Sequence, residues 1–133
     1  MAAISKSGTP SVCTMLPGGG NYVGSNLVAN AAIAAGDACY ILSTGKVALA
    51  TGAAANAAAR VIGFAAAAAA AGEPVTLMDN VDWYYGSGLT PGIPVYLSGS
   101  TAGGIDTATS TGGTAPIGYT LDATRIRLWS ARY

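Results

Sequence analysis

The sequence predicts an all-β fold, a small β-barrel or β-sandwich of about nine short strands behind an extended N-terminal arm. Three observations predict it. From about Leu27 onward, short runs of β-branched, aromatic and Leu residues are broken by Gly, Pro, Asp or Asn at roughly 8–12-residue intervals, the spacing of a sandwich or barrel. Several runs alternate with period two: Ile126 and Leu128 share one face, and Arg125, Arg127 and Trp129 the other. Turn chemistry agrees, because Thr44-Gly45, Asp79-Asn80 and Asp122-Ala123 separate strand-like runs with residue types that tolerate tight-turn dihedrals.

Taken in order, residues 1–26 read as the arm. They are rich in Ser, Thr, Gly and Pro, and include Pro17-Gly18-Gly19-Gly20. Residues 27–133 read as the β domain, with strands expected at 38–42, 46–50, 60–65, 74–78, 81–85, 93–97, 104–107, 116–121 and 124–129. Alanine favours helix over 52–71. Val61-Ile62-Gly63-Phe64 interrupts it, however, and no polar face gives an amphipathic moment. The expectation there is a strand flanked by small-residue loops, with one helical turn at most.

An internal echo runs through the domain. Gly36-Asp37-Ala38, Gly72-Glu73-Pro74 and Gly92-Ile93-Pro94 each precede an apolar run, and Ile62-Gly63-Phe64 recurs as Ile117-Gly118-Tyr119. The spacing suggests two related β units of about 55 residues, too few for a solenoid.

Composition bounds function. The 133 residues include 19 Gly and long Ala, Ser and Thr tracts, so large apolar side chains are scarce. Burial contributes only about 25 cal/mol per Å² against a backbone ordering cost of about 1–2 kcal/mol per residue, so support from other subunits is expected. Six Lys or Arg balance six Asp or Glu. Arg125, Arg127 and Arg132 form the one cationic cluster, which reads as a solvated strand face; neither nucleic acid nor membrane is an expected partner. The 65–71 alanine tract is too short to span a bilayer, and no signal-peptide core precedes it, so cytosolic synthesis is expected, with Cys13 and Cys39 as free thiols.

The chain has no His, which removes the commonest general base and transition-metal ligand together. Asp79 and Asp82 flank an expected tight turn, where Asp is explained by backbone hydrogen bonding. Gly18-Gly19-Gly20 lacks the Lys-Ser/Thr of a phosphate loop. No enzyme activity, metal or cofactor is expected. The aromatic concentration Trp83-Tyr84-Tyr85, with Trp129, supplies the candidate interface residues; alternation puts Trp83 and Tyr85 on one face and Tyr84 on the other, so at least one is expected outside the core, and core packing is the competing reading because other large residues are few.

The succession Ala35-Gly36-Asp37-Ala38-Cys39-Tyr40, Gly45-Lys46-Val47, Val61-Ile62-Gly63-Phe64, Ala71-Gly72-Glu73-Pro74-Val75, Thr90-Pro91-Gly92-Ile93-Pro94-Val95-Tyr96, Ile117-Gly118-Tyr119 and Arg125-Ile126-Arg127-Leu128 resembles bacteriophage capsid decoration (cement) proteins. The resemblance runs from about Ala34 to Trp129. It implies a small β domain that trimerises, docks on the outer capsid surface and stabilises the head by bridging major capsid protein subunits. The N-terminal arm and the long alanine tracts depart from the family pattern. On this reading Ile4, Val12, Met15, Leu16 and Tyr22 are the arm's expected capsid contacts. The alternative is a carbohydrate-binding or tail-fibre module with Trp83, Tyr84 and Tyr85 as its platform.

Overall fold

A computed structural model describes residues 3–14, 22–23 and 27–131. The regular secondary structure of the described residues is almost entirely β, as expected, with a single 3₁₀ turn besides the strands. Eleven strands form two antiparallel sheets: β1 (Ser11–Thr14), β2 (Tyr22–Val23), β3 (Ala38–Ile41), β4 (Val47–Leu49), β5 (Gly63–Ala65), β6 (Leu77–Met78), β7 (Val81–Tyr84), β8 (Pro94–Leu97), β9 (Ile105–Asp106), β10 (Gly118–Thr120) and β11 (Arg125–Leu128). A five-stranded sheet has the order β2-β6-β5-β3-β4, and a six-stranded sheet the order β1-β7-β11-β10-β8-β9. All nine expected strands are present, each shorter than its apolar run. In the alanine-rich stretch, β5 is preceded by a single 3₁₀ turn, Ala57–Ala59, capped by Asn56.

The two sheets repeat one plan. Without β1, the second sheet reads β7-β11-β10-β8-β9, which is the order β2-β6-β5-β3-β4 shifted along the chain. Registers correspond as well. Gly63 pairs with Cys39 and Phe64 with Ala38; Gly118 pairs with Val95 and Tyr119 with Pro94. Phe64 also pairs with Met78, as Tyr119 does with Arg127. The echo in the sequence is therefore a structural repeat. Its glycines share one conformation, since Gly36, Gly72 and Gly92 all turn at positive φ, between 78° and 84°, a region costly for side chains with a Cβ.

The main core lies between the sheets. Ala38, Phe64 and Met78 from the first sheet join Trp83, Val95, Ile126 and Leu128 from the second in one buried cluster. A second cluster, including Cys39, Val47, Ala65 and Leu77, lies on the other face of the five-stranded sheet. The segments around Val28, Ala29 and Ile33 and around Ala69 and Pro74 cover it, bridging to one another and to Val47. Small side chains such as Ala29 and Ala65, both fully buried, let these layers approach closely. The five-stranded sheet thus has a core cluster on each face, with Ile41 at the end of β3 left 43% exposed, while the six-stranded sheet has one open face.

The stretch expected to be a free arm is built into the domain where it is described. Ala3 bridges to Asp106 and Ile4 N–H donates to Ile105 O at 3.0 Å, at the β9 edge. Ser7 N–H donates to Tyr85 O at 2.8 Å, and β1 then pairs with β7. Residues 3–14 therefore strap the two opposite edges of the six-stranded sheet. An ion pair from Lys6 to Asp37 and a buried Pro10 hold the strap's middle. A Cβ on Gly36 would approach Pro10 to 2.9 Å, so glycine is needed there for contact as well as for conformation.

Candidate functional site

Alternation along β7, β11, β10 and β8 sorts their residues between core and solvent. Val81, Trp83, Ile126, Leu128, Gly118 and Val95 point inward, whereas Tyr84, Arg125, Arg127, Tyr119 and Pro94 point outward. Cross-strand register sets the outward residues side by side: Tyr84 beside Arg125, Asp82 beside Arg127, Arg127 beside Tyr119, and Tyr119 beside Pro94. Three large apolar or aromatic side chains are prominently exposed among the described residues. Two of them, Tyr84 at 52% and Tyr119 at 40%, stand on this face; the third, Ile41 at 43%, ends β3 in the other sheet.

Charges on the face are mutually satisfied. Arg127 Nε donates to Asp82, and this bond, more than any other influence, raises the guanidinium's pKa. Asp122 opens β11 as a turn: its Oδ1 accepts from the N–H groups of Thr124 at 3.0 Å and Arg125 at 2.8 Å, and its Oδ2 from Arg125 Nε at 2.7 Å. The Thr124 N–H and then the Arg125 side chain pull this carboxyl down to about 2. Trp129 Nε1 donates to Pro116 O at 3.2 Å, and its ring meets Tyr119 at 5.6 Å between centroids with a 56° tilt. The outcome is an electrically balanced surface of Tyr, Trp and Arg, the residue types that dominate binding energy at protein interfaces.

The structure corrects several expected site residues. Trp83 and Tyr85, expected as interface aromatics, are 0% and 1% exposed; both face the space between the sheets, where the largest side chains fill the core. Of the expected aromatics, Tyr84 and Trp129 stand on the outer face. Ile4 and Val12, expected as capsid anchors, pack against this domain's own core because the strap binds the sheet edges. Met15 and Leu16 lie outside the described residues, as does the Tyr22 side chain, although Tyr22 itself pairs with Met78 in β2. The face also holds Tyr119, Arg125 and Arg127, which sequence reasoning does not single out as site residues. The alternation around Arg125-Ile126-Arg127-Leu128 already carries the signal for the arginines.

Elsewhere the chemistry is sparse. Among the described residues no three of His, Cys, Asp and Glu gather as metal ligands, and no helix is long and apolar enough to cross a membrane. A cavity of about 600 Å³ opens beside the strap, lined by Ile4, Lys6, Leu89, Ile93 and Thr120 among others. Lys6 is the charged group of its lining and is tied to Asp37; Thr120 Oγ1 is tied to Thr90 O at 2.6 Å. Cys13 and Cys39 are free. Burial and then Asp37 push the Cys39 thiol up to about 12. No protein-family model, curated protein or solved structure matches the chain.

Proposed function

We propose that this chain is a structural virion protein, a capsid decoration protein that docks on the outer surface of a bacteriophage head through the open face of its six-stranded sheet. The observation that carries the reading is the concentration of Tyr84, Tyr119, Trp129, Arg125 and Arg127 on one exposed sheet face, whereas core clusters lie on both sides of the other sheet. The resemblance of residues 34–129 to decoration proteins points the same way. The partners are the major capsid protein and further copies of this chain, as a homotrimer, at the virion surface after synthesis in the host cytoplasm. The role is mechanical and involves no catalysis.

Stabilisation by such a protein is a linkage effect. A ligand that binds the assembled lattice and not free subunits stabilises it by about 2.7 kcal/mol per site at a hundredfold excess over Kd. Repetition over many sites makes a modest affinity sufficient. Co-sedimentation with undecorated heads of the phage that carries this chain tests the reading. The expected result is saturable binding that raises the temperature at which heads rupture, weakened about tenfold or more by Tyr84→Ala with Arg127→Ala. Heads that neither bind the unmodified protein nor gain heat resistance would sink the proposal. Tyr84, Tyr119 and Trp129 are also what the carbohydrate-binding alternative would use; glycan-array binding without head binding would favour it.

A further inference from the structure

The internal repeat indicates what the open face is shaped to meet. In the first unit, Ala38, Phe64 and Met78 stand in one cross-strand row over β3, β5 and β6. The matching row of the second unit is Pro94, Tyr119 and Arg127 over β8, β10 and β11. Tyr40 of β3 likewise matches Tyr96 of β8, paired with Ala48 and Asp106 respectively. The two rows have the same place in the plan and opposite fates. Ala38, Phe64 and Met78 are at most 2% exposed, because the inner face of the second sheet, with Val95, Ile126 and Leu128, packs directly onto them. Tyr119 is 40% exposed.

The chemical difference between the rows matters more than the exposure. Phe64 becomes Tyr119, the same ring with a hydroxyl at its tip; Met78 becomes Arg127, a long unbranched stem with a charged tip; Tyr40 becomes Tyr96, unchanged. At Tyr119 and Arg127 the apolar body is kept while a polar end is added, which suits a surface that is wetted when free and packed when bound; Ala38 becomes Pro94, with no polar end. A permanently solvated sheet face has no need of aromatic bodies and would do with Thr, Ser and Lys.

We infer that the open face receives a partner's β-sheet, packed sheet on sheet as the second unit packs on the first, and that this partner sheet belongs to the capsid shell protein. The inference rests on the decoration reading and specifies its docking mode. Balanced ion pairs at Asp82–Arg127 and Asp122–Arg125 suit this occupant, since a covering sheet buries no unpaired charge. Sheets stacked this way lie about 10 Å apart and meet through alternate residues of each strand.

Placing a photo-cross-linker in the full chain, by Tyr119→p-benzoylphenylalanine and separately by Tyr84→p-benzoylphenylalanine, tests the inference on undecorated heads. Adducts mapped by mass spectrometry should fall on strands of a shell-protein sheet, on residues two apart along a strand. In parallel, Tyr119→Phe should bind heads within about threefold of the unmodified protein, and Tyr119→Asp at least about tenfold more weakly. Adducts confined to a terminal tail, or to a second copy of this chain, would overturn the inference, as would head binding with no adduct at either position. In those cases binding itself persists and the decoration reading stands. Failure of the unmodified protein to bind heads removes both.

Discussion

Trp83 is fully buried, and among the described residues its indole N–H meets no acceptor. A buried donor without a partner costs about 1–3 kcal/mol, so the ring stabilises the core by packing while its nitrogen works against it. Trp83→Ala should cost about 3–5 kcal/mol, the usual figure for emptying a large aromatic site. Trp83→Phe should cost far less, because it removes the unmet donor along with part of the ring. Urea unfolding of the two variants checks this, and equal losses would show that the nitrogen is satisfied. The two cysteines make a second contrast at this scale. Cys39 is buried, and its thiol titrates only towards about 12 instead of near 9; the thiolate is the reactive form. A raised pKa leaves the contribution to stability intact below the unfolded value of 9 and removes it as pH climbs towards 12. At pH 8, iodoacetamide should therefore modify partly exposed Cys13 and spare Cys39 until the protein is unfolded, as peptide mapping would show. Rapid native labelling of Cys39 would mean that the second core cluster opens readily.

Elements are held in register by a few backbone contacts with no tolerance. A Cβ on Gly118 would come within 2.2 Å of Arg127 O and 2.8 Å of Leu128 Cδ2 across the β10–β11 pair. Gly118→Ala should therefore destabilise by about 2–3 kcal/mol through forced separation of the strands. It should also blur the outer face, because Tyr119 and Arg127 are neighbours in the same register; thermal unfolding and amide exchange of β10 measure both effects. The strap belongs to this scale too. Deleting residues 1–10 removes the Ile4 contact with the core, the Lys6–Asp37 pair and buried Pro10 together. The expected loss is about 3 kcal/mol, from partial apolar burial and a half-screened ion pair. A truncated protein of unchanged stability would return the segment to the free arm that its composition suggests. That composition explains why the strap is not legible in the sequence. Nine strands are readable because each apolar run follows a turn marked by Gly, Asp or Asn, as at Gly36, Asn80 and Gly92, all at positive φ. Ser11-Val12-Cys13-Thr14 also follows a positive-φ glycine, Gly8, but Val12 is its one large apolar side chain, and its strand forms because Val81–Tyr84, far along the chain, presents an edge to it. Trp83 and Tyr85 go to the core for a related reason. Alternation divides Trp83-Tyr84-Tyr85 into two faces, but which face is wet depends on where the other sheet lies.

At the scale of the whole molecule, duplication of the strand plan has not produced two independent domains. The units stack in the same sense, with the first unit's Ala38, Phe64 and Met78 row against the inner face of the second, so the main cluster belongs to both sheets. Neither unit has a complete core without the other. The second unit alone would expose Trp83, Val95, Ile126 and Leu128, and the first would expose Phe64 and Met78. At about 25 cal/mol per Å², uncovering these side chains forfeits more than the few kcal/mol by which so small a domain is stable. A chain of residues 79–133 should therefore be unfolded by circular dichroism and by amide exchange. The full protein should lose both sheets in one transition, with the fluorescence of Trp83 and Trp129 and far-ultraviolet dichroism coincident in urea. Mixing residues 79–133 with residues 1–78 should restore β structure, because the missing surface is supplied in trans. Two separated transitions in the intact protein, or a folded second fragment, would show that the units are held by their own hydrogen bonding and that the shared cluster is dispensable. In that event the cover on the first unit's row would be dispensable, and the open face of the second unit would need no covering sheet either.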